Sequence, residues 1–155
     1  MLVDVPRLRG VDYLEPGEPV FPDDLEAAGV DVEPGDVLLV RTGRWVCREQ
    51  RGPWNARERI AGLDASCLPW LHARGVAALG SDGVSDVLPS RVRDVPMPIH
   101  TIAIVAMGLH LLDNLDLDGL ARACAEHGRW QFMLAIAPLV LFRGTASPVN
   151  PLAIF

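Results

Sequence analysis

Among the ionisable residues of this chain, His100 has the most unusual setting. It is the only ionisable side chain in the run Pro98-Ile99-His100-Thr101-Ile102-Ala103-Ile104-Val105-Ala106-Met107. Pro98 suits the first position of a helix, because its φ is already helical and its missing N–H would be an orphan there. From Ile99 to Met107 the apolar residues fall on all sides, which predicts a buried helix, closed by Gly108 in the left-handed conformation. A histidine in the first turn feels the positive end of the helix dipole. That disfavours imidazolium and favours the neutral ring that metals bind. The competing reading is a core histidine whose ring nitrogens are satisfied within the chain.

Three further segments carry small polar residues just after apolar runs: Arg41-Thr42-Gly43, Gly80 to Asp86, and Asp113-Asn114. In α/β sheets, ligands gather outside the carboxyl ends of the strands, so these segments are the other candidate site. Asp82 is the candidate catalytic partner of His100, and Ser81, Ser85 and Arg41 are candidate substrate contacts. The alternative for Asp82 and Asp86 is that they cap local turns. Trp45 or Trp54 could line a pocket for a flat ligand, within a polar stretch that otherwise reads as a solvated excursion. His72 and His127 fall in last turns of helices, and His110 should point away from Leu109 and Leu111. G-x-S-x-G, H-E-x-x-H, a glycine-rich phosphate loop and calcium-loop spacing are all absent.

The elements that must position these groups alternate. Leu2 to Asp4 reads as strand, Tyr13 to Pro22 as a surface loop, and Asp23 to Ala28 as a short helix. The turn Glu33-Pro34-Gly35-Asp36 launches an interior strand, Val37 to Val40. Asp64 caps a helix through Ala73, strained by Pro69, and Val76 to Leu79 is the next strand. After the His100 helix come a strand over 109–114 and a helix from Asp116 or Asp118 to Glu126. Further strands are expected at Gln131 to Ala137, Leu139 to Phe142 and Val149 to Ile154. The alternation predicts a single α/β domain over 1–155, a mixed sheet with covering helices.

Composition narrows the function classes. The net charge is −6 and all fourteen basic residues are scattered arginines, which speaks against nucleic acid as partner. The N-terminus reaches Asp4 and Pro6 at once, unlike a signal peptide, and no window approaches a membrane span. Cys47, Cys67 and Cys124 lack C-x-x-C spacing and read as reduced thiols of a cytoplasmic protein.

The segment Gly144-Thr145-Ala146-Ser147-Pro148-Val149-Asn150-Pro151-Leu152-Ala153-Ile154 resembles the closing segment of the cyclase family, metal-dependent hydrolases that include bacterial kynurenine formamidase. The resemblance extends to residues 34–43, to 80–86, and to Pro98-Ile99-His100 through Leu112-Asp113-Asn114-Leu115. It implies a swivelling β/β/α fold, a homodimer or higher homo-oligomer, and a zinc or manganese ion that activates water against an amide, lactam or ester carbonyl. It places His100 and Asp113 at metal-ligand positions. The family signature His-x-Gly-Thr-His-x-Asp-x-Pro-x-His is not in this sequence.

The expected function is therefore hydrolysis of an amide-like bond in a small aromatic substrate such as N-formylkynurenine, a reaction of tryptophan catabolism. The isolated chain is expected to lack a competent metal site and to be inactive. Two alternatives stand beside it: a non-catalytic interaction or regulatory module, and the C-terminal half of a split enzyme whose partner chain carries the signature. An uncovered sheet edge is expected to make the chain self-associate.

Overall fold

A computed structural model describes residues 1–155. The chain order is β1 (Leu2–Asp4), α1 (Val5–Arg9), β2 (Pro19–Val20), α2 (Pro22–Ala27), β3 (Val37–Arg41), α3 (Arg44–Arg51), β4 (Gly62–Leu63), α4 (Cys67–Ala73), β5 (Ala78–Ser81), α5 (Pro98–Ile102), a π-helical turn (Ala103–Met107), β6 (His110–Leu112), α6 (Asp118–His127), β7 (Met133–Ala135) and β8 (Leu152–Ile154). The central sheet has the order β1-β3-β5-β6 and is parallel throughout; β2 and β4 form a small parallel pair, and β7 and β8 an antiparallel ribbon. The expected α/β architecture is present, with its parallel and antiparallel pairings divided between separate sheets.

Strand parity explains why both faces of the central sheet are covered. Val3, Leu38, Val40 and Leu79 point into the larger core, under α2, α4 and Ile99. Leu2 and Leu39 point the other way, into a smaller core with Leu117, Ala121 and Cys124 of the α6 region. Among the charged groups buried at the sheet's carboxyl end, Arg41 and Asp4 are paired with each other. Arg41 Nη1 donates to Asp4 at 2.8 Å and Arg41 Nε to Asp118 at 2.8 Å, tying β1, β3 and α6 together. Burial opposes the Arg41 charge, but the bonds to Asp118 and Asp4 outweigh it and hold its pKa above the ordinary value.

The structure corrects three expectations. The apolar run after Pro98 is not buried on all sides: Ile99 and Ala103 are buried, whereas Ile102, Ile104 and Val105 face outward. One turn is π-helical before Gly108, at φ 66°, ends it. Hydrophobicity on every side therefore marks one face packed on the core and another left bare. The segment 139–142 forms no strand, because it pairs with nothing, and Val140 and Phe142 stand exposed. The polar excursion after Gly43 contains a full helix, α3.

Candidate functional site

Two carboxyl-end segments, those after β5 and β6, meet at His100. Helix α5 begins with Met97 as N-cap, which supplies no side-chain acceptor, so its first N–H groups need one from elsewhere. Asp86 provides it across the fold. Its Oδ1 accepts from Ile99 N at 2.7 Å, and its Oδ2 from His100 N at 3.2 Å. The same Oδ2 lies 2.6 Å from His100 Nδ1, and the Asp86 carboxylate is fully buried. Asp86 is itself clamped by β4: Leu63 N donates to Ser85 O at 2.7 Å, and Val87 N to Leu63 O at 3.1 Å. Gly62 is required there, since a Cβ on it would stand 2.4 Å from Asp86 O.

On its other edge the ring meets Asp113, at the end of β6. His100 Nε2 is 2.9 Å from Asp113 Oδ2, and Asp113 Oδ1 accepts the Ser85 hydroxyl at 2.8 Å. Ser85 and the neighbouring Asn114 both adopt left-handed backbone, at φ 60° and 62°, the kind of uncommon conformation that clusters at functional sites. Asn114 is pinned through its N–H to Gly83 O at 2.7 Å and through its side chain to Arg44.

This geometry reverses the expected charge of the ring. Bonds to Asp113 and then Asp86 raise the His100 pKa to about 9, against the opposing effect of burial. Imidazolium is the resting form at neutral pH. A helix end is worth about 0.3–1 kcal/mol, whereas each hydrogen bond to a charged group is worth about 1.5–3 kcal/mol, so two carboxylates prevail over the dipole.

His100 and Asp113 border an open cleft of about 1340 Å³ lined by residues of β6, α6 and the C-terminal segment after Leu134. Ile104, His110, Leu120 and Leu134 are among its walls. His100 thus lies beside a cavity, with both ring nitrogens bonded within the chain, to the carboxylates of Asp86 and Asp113 rather than to backbone.

Of the other sequence candidates, Ser85 joins this cluster; Asp82, Ser81 and Arg41 stand elsewhere. Asp82 is fully buried and accepts four bonds: Thr42 N at 2.9 Å, Thr42 Oγ1 at 2.7 Å, Gly43 N at 2.8 Å and Arg44 N at 3.1 Å. It thereby caps α3 and joins β3 to β5. Burial pushes its pKa up while those four donors pull the other way. Ser81 is buried and accepts from Gly83 N at 3.0 Å, and Arg41 is spent on Asp4 and Asp118. Trp45 and Trp54 donate their indole N–H to Leu115 O at 2.8 Å and Arg59 O at 2.7 Å, and neither borders the cleft. Asp86 is the residue that sequence reasoning undervalues. Its signal is a helix opening on Met97-Pro98, a start with no acceptor of its own.

Whether these residues fit a resident metal is decided by their donors. His100 Nε2 and Asp113 Oδ2 could face one cation, but Asp86 lies on the opposite edge of the ring with both oxygens committed. No group of three or more His, Cys, Asp or Glu side chains in the chain could hold a metal ion. A hydrolytic zinc site ordinarily has three protein ligands. The residues of this chain do not by themselves fit one.

A family model described as Cyclase, putative cyclase, matches residues 1–86. The chain belongs to the cyclase family. It is similar over 99% of its length to the crystal structure of a novel cyclase, with a TM-score of 0.87 and 28% identity, covering 52% of that chain. It also shares the fold of an isatin hydrolase bound to the product analogue thioisatinate (TM-score 0.73, 22% identity, 98% of this chain and 57% of that one). A predicted metal-dependent hydrolase from Bacillus stearothermophilus shares it too (TM-score 0.66, 16% identity, 98% and 60%). The chain therefore spans between about half and three fifths of the length of these structures. No curated protein matches it. No helix is long and apolar enough to cross a membrane.

Proposed function

We propose that this chain forms the His100–Asp113 side of a cyclase-type hydrolytic site acting on an amide, lactam or ester bond of a small aromatic molecule. The observation that carries it is the Asp86–His100–Asp113 chain of hydrogen bonds at the border of a largely apolar cleft, in a member of the cyclase family. The apolar walls suit a flat ring. N-formylkynurenine and isatin, the latter the substrate class in the name of a fold relative, are the molecules to try first.

The chain's own residues would act through one proton. Asp86, immobilised by two backbone N–H groups, holds Nδ1 and fixes the ring. Nε2, protonated at neutral pH and bonded to Asp113 at 2.9 Å, would donate to a carbonyl oxygen or to a departing nitrogen where substrate takes the place of that carboxylate, which is the role of a general acid rather than a base. Asp113 and Ser85 orient what approaches that proton. The zinc or manganese of the family resemblance belongs to this proposal only with donors from outside these 155 residues, as in a split enzyme. The deficit of donors and the satisfied ring equally support a second reading, a binding or regulatory module without turnover.

Two assays on the purified chain test this. One follows hydrolysis of N-formylkynurenine and isatin with added zinc or manganese; the other measures thioisatinate binding by calorimetry. The expected result is negligible turnover together with binding that His100→Ala weakens about tenfold, the equivalent of ~1.4 kcal/mol. Binding indifferent to that substitution would remove the ligand from this cleft. Metal-dependent turnover abolished by His100→Ala would show that the chain's own donors suffice.

A further inference from the structure

Arg9, Arg41, Arg44 and Arg74 are the arginines of this chain that are not exposed. Burial makes an unpaired charge costly, so such groups are normally given a counter-charge. Arg9 lies against Glu18 and Asp24, Arg41 against Asp4 and Asp118, and Arg74 against Glu26. The Arg44 guanidinium has no carboxylate partner. Its Nη1 donates to Asp82 O at 3.3 Å and to Asn114 Oδ1, both neutral acceptors. The Asp82 carboxylate is already committed to Thr42 and to the N–H groups of Gly43 and Arg44. One face of the guanidinium lies on the Trp45 ring, 4.7 Å from its centroid, and Trp45 is itself held by Leu115 O. Burial leaves the Arg44 pKa below the ordinary value, against the raising field of Asp82, whereas the bond to Asp24 holds that of Arg9 above it.

We infer that Arg44 and Asn114 form a carboxylate subsite at the edge of the cleft, where they hold an anionic group of the aromatic ligand. The inference rests on the reading of that cleft as the ligand site. With Nη1 and one face fixed, the other edge of the guanidinium is free: Nε and Nη2 bond to nothing in the chain and reach the surface. Two parallel N–H groups on one edge match the two oxygens of a carboxylate. Asn114 and Leu115, which hold Arg44 and Trp45, both line the cleft. The wall itself contains the acids Asp113 and Asp116 and no arginine, so without Arg44 an anion would meet mainly repulsion there. A carboxylate borne by the substrate and one released by hydrolysis present the same two oxygens. N-formylkynurenine carries the first kind and thioisatinate the second, whereas isatin has neither.

Calorimetry on the full chain compares these three ligands with wild type, Arg44→Gln and Arg44→Lys. Arg44→Gln should weaken the two acids at least about tenfold, as loss of a charged hydrogen-bond partner does, and isatin less than about twofold. Arg44→Lys, which keeps the charge but not the paired N–H groups, should fall between. His100→Ala tests the cleft separately and should weaken all three ligands. NMR of the wild type reads the subsite without any variant: the Arg44 Nε–H and Asn114 Nδ2 resonances should move on adding either acid and stay in place with isatin. Movement with one acid alone supports the subsite and tells which carboxylate it takes. Acids that move these resonances yet bind His100→Ala as well as wild type would keep the subsite and remove the hydrolytic reading. Resonances unmoved by both acids at millimolar concentration overturn the inference, and so does an equal loss of isatin and the acids in Arg44→Gln.

Discussion

Asp86 binds His100 twice, once at the backbone N–H at 3.2 Å and once at ring Nδ1 at 2.6 Å. One fully buried carboxylate therefore starts the helix and sets the ring that the helix carries. Helix position and side-chain orientation cannot drift independently, which is what a site residue on a five-residue helix needs.

A pH titration of the metal-free chain should show this coupling. His100 should titrate near 9, followed by NMR of its ring protons, while an unfolded histidine titrates near 6.5. Its folded-state pKa is raised, so its contribution to stability is complete below about pH 6.5 and is lost as pH rises through about 9. Asp113→Asn, which removes the largest cause, should move the titration back toward neutrality. A His100 that titrates near 6.5 in the wild type would contradict the two-carboxylate geometry.

Asp82 and Asp113 should separate under mutation. Asp82→Ala orphans the donors at Thr42, Gly43 and Arg44 in a buried place. It should cost several times the ~1–3 kcal/mol of one unsatisfied group, read from urea denaturation. Asp113→Asn, at a partly exposed carboxylate that makes only one bond to the ring and one to Ser85, should cost less than Asp82→Ala while weakening ligand binding in the cleft. Equal costs at the two positions would show that Asp113 is structural too.

Gly62 offers a steric test of the Asp86 clamp. A Cβ there would stand 2.4 Å from Asp86 O and 2.8 Å from Val87 N, both backbone atoms that cannot rotate away. Gly62→Ala should cost about 1–3 kcal/mol, as overpacking does, and should shift the NMR resonances of His100, a residue distant in sequence. A stability loss with an unmoved His100 would mean that the clamp does not reach the ring.

Much of this is legible in the sequence alone. The strand–helix alternation, the turn before β3, and Gly108 as a helix terminator follow from local backbone chemistry, and so they hold. His100 and Asp113 stand out from an apolar setting and a family resemblance, and they meet at 2.9 Å. What the sequence hides are partners distant in the chain. Asp82 looks like a catalytic acid in a strand-end loop until Thr42, Gly43 and Arg44 are seen to use all of it. Arg41 looks free until Asp4 and Asp118 arrive from both sides. The bare face of Ile104 and Val105 is hidden too, because hydrophobicity reports a preference for burial, not what does the burying.

The most direct measurement is the metal stoichiometry of the purified chain after incubation with zinc or manganese and exhaustive dialysis. With only His100 Nε2 and Asp113 able to face one cation, the expected content is far below one ion per chain, and His100→Ala should not change it. One tightly held ion per chain, lost in His100→Ala, would contradict the account and show that these residues assemble a complete site.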